Sequence, residues 1–78
     1  MADVALLRGL LHTAFPDAVD VDVLDRTGGG DHFQVEVRSP RFNGLSRLDQ
    51  HRLVYAALDA PLRNGSIHEL RIRTRGTE

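Results

Sequence analysis

Four histidines, His12, His32, His51 and His68, stand in a chain of 78 residues that has eleven carboxylates and no cysteine. Without thiols there can be no disulfide, no CxxC redox pair and no thiolate nucleophile. Any metal chemistry must draw on imidazole and carboxylate here, with thiolates supplied from elsewhere. A metal site needs at least two converging ligands. His68 opens the last apolar-alternating run, and His32 opens the run that follows a glycine cluster. Alternation sets His68 with Leu70 and Ile72 on the inner face, whereas His32 points away from Phe33 onto the polar face. The two rings are therefore expected on opposite sides of the sheet, and only a twist or bulge at the strand ends would bring them together. Taken on its residues alone, His68 reads as a ring capping the apolar face and bonded to nearby backbone. His12 falls at the edge of a helical stripe and reads as a surface residue. His51 lies one helical turn from Tyr55 and is expected to pack against it.

Other motifs point to structure rather than catalysis. Gly28-Gly29-Gly30 lacks the GK[ST] ending of a phosphate loop and opens a strand instead of a helix. It reads as a loose hairpin tip. Ser46 and Asp49 stand in capping-box order, each expected to bond the other's amide. No Ser/His/Asp order, paired-carboxylate site or metal triad emerges, so the residues do not describe an enzyme.

The formal net charge is −1, with ten arginines and no lysine. That balance gives no overall drive toward nucleic acid or membranes. No apolar run reaches membrane-spanning length, and the N-terminal residues resemble neither a signal nor a transit peptide. A soluble, cytoplasmic, single domain over residues 1–78 is the expectation. A chain this short buries only about 60–65% of its unfolded surface, so its working part should lie on the surface.

The elements that must position these residues follow from periodicity. Residues 3–15 carry Val4, Leu7, Leu10, Leu11, Ala14 and Phe15 at helical spacing, with Asp3 as N-cap and Pro16 as the stop. Residues 19–25 and 32–38 alternate on either side of the glycines, which predicts a hairpin with Val19, Val21, Val23, Phe33, Val35 and Val37 inward. A second helix is expected from Leu45 to Leu58, with Leu48, Leu53, Val54, Ala57 and Leu58 as its apolar positions. A short turn follows at residues 60–63. Residues 67–74 read as a third strand with Ile67 on the polar face, and residues 75–78 as a frayed tail. The order is α-β-β-α-β, an α+β two-layer sandwich with helices on one face of a three-stranded sheet.

Three segments in this frame carry a resemblance. Thr27-Gly28-Gly29-Gly30-Asp31-His32-Phe33 resembles the glycine-rich hairpin of BolA-like proteins, which ends in His-Phe. Arg41-Phe42-Asn43-Gly44-Leu45-Ser46 with His51-Arg52-Leu53-Val54-Tyr55 resembles their F-x-G-x-S…R-H-R-L-V-Y signature, and Ile67-His68-Glu69-Leu70 their I-H-A-L strand start. The resemblance covers nearly the whole chain in order and spacing. It implies a KH-like fold and a partner, a monothiol glutaredoxin, with which such proteins hold a bridging [2Fe–2S] cluster in cluster trafficking or iron sensing. It also implies that His68 is a cluster ligand. Imidazole replaces thiolate on one iron of Rieske centres, so a cysteine-free chain can supply nitrogen while glutaredoxin and glutathione supply sulfur.

In the family the second ligand comes from the hairpin loop. Residues 26–31 contain neither Cys nor His, and Gly30 lies about where some members carry Cys. That leaves His32, or the harder donor Asp31, for the role. Gln50 departs from the signature's first Arg, Glu69 from a small residue, and the usual Trp-containing tail is absent. Some BolA-like proteins act on transcription, so DNA is the alternative partner. The turn at Asn43, Gly44 and Arg47 would then approach phosphates at a helix N-terminus, aided by Arg41, Arg52, Arg71 and Arg73. Self-association is compatible with either reading.

Overall fold

The computed structural model describes residues 2–78. Helix α1 (Val4–Ala14) begins where the Asp3 carboxylate accepts the Leu6 amide at 2.7 Å, and its last turn is closed at Phe15. Leu7, Leu11 and Phe15 are buried, as the stripe requires. Strands β1 (Asp20–Asp25) and β2 (His32–Arg38) pair antiparallel. A single 3₁₀ turn (Pro40–Phe42) leads to α2 (Arg47–Ala57), then a short α3 (Asp59–Arg63) and β3 (Glu69–Arg75). The β3 strand lies parallel to β2, so the sheet order is β1-β2-β3. Both long helices pack on the face that carries Phe33, Val35 and Val37, with α1 against β1 and α2 against β3. The other face presents Gln34, Glu36, Arg38, Arg71 and Arg73.

The second helix starts at Arg47 instead of Leu45, because the Ser46 cap, in place as its capping-box order indicates, sets the first helical residue after it. Ser46 Oγ accepts the Asp49 amide at 3.1 Å. The reciprocal half of the capping box does not form; the Asp49 carboxylate turns to Arg52 at 3.5 Å. Gly44 takes φ 77° in the entry turn, the left-handed region expected of it. The residues read as a turn at 60–63 instead wind into α3, whose Pro61 is buried.

Three expectations of facing and one for the tail are corrected. Val19 is 57% exposed because β1 begins only at Asp20, and Val19 is joined to β2 through its amide alone, which bonds the Arg38 carbonyl. Leu48 is 61% exposed; it sits on the first turn of α2, on the side away from Val54 and Leu58. Ile67 is 6% exposed and belongs to the core, because it precedes β3 and escapes the strand's parity. The tail is tied down rather than frayed. Asn43 donates to Thr77 Oγ1 at 3.0 Å, while its carbonyl oxygen accepts the Thr77 amide at 2.7 Å and the Glu78 amide at 3.3 Å.

Candidate functional site

The β1–β2 hairpin and the start of β3 form one end of the sheet. Thr27, Gly28, Gly29 and Gly30 make the connecting loop, and its amides are claimed internally. Asp25 Oδ1 accepts Gly28 N at 2.9 Å and Thr27 N at 3.3 Å, and Oδ2 accepts Gly30 N at 3.0 Å. A carboxylate of this chain thus fills the place a phosphate would take in a nest of amides. The loop is tied by these bonds instead of standing loose. Gly28 and Gly30 both have positive φ, and a Cβ on Gly30 would meet the Ala2 carbonyl at 3.3 Å.

The two histidines of this end come together. Their ring centroids lie 6.3 Å apart, edge to face, which corrects the opposite-sides expectation from parity. The cause is a backbone irregularity that residue types do not announce. The Asp31 carbonyl accepts two successive amides of the incoming strand, His68 N at 2.8 Å and Glu69 N at 3.2 Å. Regular parallel pairing begins only with Glu69 opposite His32. His68 therefore stands outside the alternation that puts Leu70 and Ile72 inside. Its ring leaves the apolar face, with a side chain 66% exposed, while the His32 side chain is 33% exposed.

Asp31 sits between the rings. His32 Nδ1 is 2.9 Å from Oδ1 and His68 Nδ1 is 3.4 Å from Oδ2. The hydrogen bond with His32 holds the Asp31 carboxyl below its ordinary 3.8; partial burial opposes this, and the nearby His32 and His68 charges and the Thr27 hydroxyl reinforce it. Glu69 lies on the far side of His32, its Oε2 3.8 Å from His32 Nε2 and 3.3 Å from Arg26 Nη1, with Oε1 3.7 Å from Arg71 Nε. Glu69, a departure from the resemblance, thus bridges two arginines here. Among the described residues no group of three or more His, Asp or Glu is arranged to hold a metal ion by itself. The nitrogen atoms this end could offer a metal are those of two imidazoles, with His68 Nε2 outside the ion pairs found among the described residues; a metal held here would need its remaining ligands from another molecule. Nitrogen donors of this kind suit an iron centre whose remaining ligands are thiolates.

The far end of the β2–β3 ladder is different. His32 to Arg38 spans on the order of 20 Å of strand, and there Arg38 pairs in register with Arg75. Arg38, Arg47, Arg73 and Arg75 border adjoining clefts of ≈ 410 and ≈ 450 Å³ between the start of α2 and the end of β3. None of the four has a carboxylate within ion-pair distance among the described residues. His51 lines the same cleft. Asn43, Gly44, Arg41, Arg52 and Arg71, the other residues named for phosphate contact, are engaged or placed otherwise, Arg71 with Glu69. Asn43 clamps the tail, and Gly44 supplies only the turn. Arg41 donates to the Ala14 carbonyl at 2.9 Å and covers the Phe15 ring at 5.5 Å, a cation at a helix C-terminus. Arg52 pairs with Asp49.

Sequence reasoning missed Asp25, Gln50 and the central position of Asp31. Gln50 donates to the Phe42 and Leu45 carbonyls and accepts from Thr74 Oγ1 at 2.6 Å, tying the turn, α2 and β3 together. The signal available was that Gln50 and Glu69 depart from the recurrent motif, which marks positions where this chain has settled a local contact differently.

The architecture defines the class: a small α+β two-layer domain in α-β-β-α-α-β order, the second-to-last helix long and the last a single short turn, with paired histidines at one end of its sheet. The chain belongs to the BolA-like protein family, whose profile matches residues 12–78. It is similar to the protein RP812 of Rickettsia prowazekii, 38% identical over 68 residues, 87% of this chain and 86% of that one. It is also similar to human BolA-like protein 1, 52% identical over 48 residues, which are 62% of this chain and 34% of the human protein. The matched segment thus spans about a third of that relative. Among solved structures, the BolA domain of SufE1 from Arabidopsis thaliana superposes with a TM-score of 0.85 at 29% identity, over 95% of this chain and 91% of that one. No helix of the described residues is long and apolar enough to cross a membrane.

Proposed function

We propose that this chain is a cytoplasmic BolA-like adaptor that binds a monothiol glutaredoxin and contributes imidazole nitrogen to a [2Fe–2S] cluster shared between them. The observation that carries this reading is the exposed His68 ring set 6.3 Å from His32. Two nitrogen donors at one edge of the molecule, without a thiol, complement a partner that brings cysteine and glutathione sulfur. His68 is the primary ligand and His32 the second. His32 reaches the site from the first residue of β2, and His68 from the residue before β3, so the sheet itself sets their separation. A bound cluster supplies one-electron redox chemistry and a transferable iron–sulfur cargo. The chain's own part is to orient two rings and to present an open edge. Cluster trafficking and iron or redox regulation are the roles that follow.

The test is co-expression with a monothiol glutaredoxin. A coloured complex is expected, and His68→Ala should change its visible absorption and circular dichroism. Unaltered spectra in that variant would refute the ligand assignment.

A second reading is favoured by the arginines at the far end of the ladder. Arg38, Arg47, Arg73 and Arg75 without carboxylate partners can meet the phosphates of a nucleic acid. Asp20, opposite Arg38 in register, and Asp22, opposite Glu36, temper that field. Duplex binding that weakens steeply with salt would support it; no gel shift at low salt would remove it.

A further inference from the structure

The Asp31 carboxylate is placed to decide which nitrogen each histidine offers. Its Oδ1 lies 2.9 Å from His32 Nδ1 and its Oδ2 3.4 Å from His68 Nδ1. Neither ring meets it through Nε2. A carboxylate is an acceptor only, so the neutral His32 ring meets its hydrogen bond by carrying the proton on Nδ1, while for His68, which is near but not hydrogen-bonded, the negative charge 3.4 Å from Nδ1 favours a proton on that nitrogen. This opposes the usual preference of a free imidazole, which keeps the proton on Nε2. We infer that Asp31 is the positioning residue of the histidine pair, fixing His32 by a hydrogen bond and biasing His68 by its charge toward Nδ1–H tautomers, and leaving Nε2 of each as the unprotonated nitrogen free to ligate. Metal-binding histidines commonly need such an orienting carboxylate behind them. Here one side chain serves two rings from positions 36 residues apart in the chain, His32 and His68.

Two features of the backbone make this a property of the side chain alone. The Asp31 carbonyl, not its carboxylate, accepts the His68 and Glu69 amides. Docking of β3 is therefore retained when the carboxylate is removed. Thr27 Oγ1 is 3.4 Å from Oδ1, so a further donor holds the carboxylate from the loop side. Glu69 is the other acid near the pair. It stands 3.8 Å from His32 Nε2 and is shared with Arg26 and Arg71, so it competes poorly for the ring proton. Asp31 is thus assigned the orienting role, not the role of a direct ligand.

The tautomers are read in the free chain by long-range proton–nitrogen NMR of the imidazoles. The measurement is made at about pH 9, well above the reference imidazole pKa of about 6.5. In the wild type both rings are expected to show a protonated Nδ1 and a bare Nε2. In Asp31→Ala both should revert to a mainly Nε2-protonated form, with backbone amide spectra otherwise preserved. Asp31→Asn, which keeps the shape and one acceptor oxygen, should give an intermediate ratio. A wild-type chain with Nε2-protonated rings, or an Asp31→Ala chain with unchanged tautomers, overturns the inference.

The importance of this arrangement for a cluster rests on the function proposed above, and the two fail separately. In the complex with a monothiol glutaredoxin, Asp31→Ala is expected to shorten cluster lifetime by about ten- to a hundred-fold. If the wild-type pair forms no coloured complex, the proposed function fails while the tautomer result stands. If it does form one and Asp31→Ala matches the wild type in lifetime, the positioning role is refuted and the function is untouched.

Discussion

The two ends of the β2–β3 ladder are built from the same backbone and hold opposite chemistry. At the start of the strands, Asp31, His32, His68 and Glu69 are mutually engaged, and Asp25 closes the loop beneath them. At the finish, Arg38, Arg47, Arg73 and Arg75 find no acidic partner within ion-pair distance among the described residues. Parallel pairing produces this separation. It lays the first residue of β2 beside the first of β3, and the last beside the last, so like residue types gather at each end. An antiparallel β3 would have set Glu69 against Arg38 and mixed the two. A small domain can thereby keep a histidine-bearing edge apart from an arginine-bearing one without a second core.

This contrast is open to being broken. Ile67→Ala should have the largest effect, because Ile67 lies in the core immediately before His68. A loss of about 2–4 kcal/mol is expected for a buried isoleucine truncated to alanine, read by chemical denaturation. The His32–His68 proximity should weaken with it. Asn43→Ala comes next and acts at the other end, since Asn43 alone ties Thr77 and Glu78. A cost of about 1–2 kcal/mol is expected, with amide exchange quickened at residues 76–78 and unaltered at the histidines. Should exchange rise at both ends, the two are not independent.

His68→Ala should change stability by less than about 0.5 kcal/mol, as an exposed side chain does, while altering the spectra of the glutaredoxin complex. A thermal melt beside those spectra separates function from folding. Neutralising Arg47 and Arg75 together should leave the complex spectra intact and lower the salt dependence of any duplex binding by about two in logarithmic slope. The smallest effect is acid titration of Asp31. Its carboxyl is held below 3.8 in the fold, so the stability it lends is present above that value and lost as pH falls through its lower native value. A carboxyl carbon chemical-shift titration should show a midpoint below 3.8; a midpoint at or above it would mean the His32 contact is absent.

Much of the fold was legible in the residues. Period-2 alternation marked Phe33, Val35 and Val37, helical spacing marked Leu7 and Leu11, and both side-chain caps, Asp3 and Ser46, fell where their types placed them. Errors clustered at element ends. Val19 and Ile67 lie just outside their strands, where the alternation no longer holds, and Leu48 lies in the first turn of α2 on its solvent side. The site suffered most from this, because His68 is the residue just before a strand. Its direction depends on one carbonyl accepting two amides, which is a fact of tertiary docking. The clamp by Asn43 was hidden for the same reason: its partners lie more than thirty positions away, and a lone Asn beside a Gly reads locally as a turn.

The order of β2 before β3 has a consequence for synthesis. During translation the hairpin bearing His32 leaves the ribosome well before residue 68 does, and a parallel strand cannot dock until its whole crossover has emerged. A nascent chain therefore exposes the His32 ring before His68 can stand beside it. Synthesis through β3 is what brings the two rings together, so a product ending within α2 would carry His32 without His68.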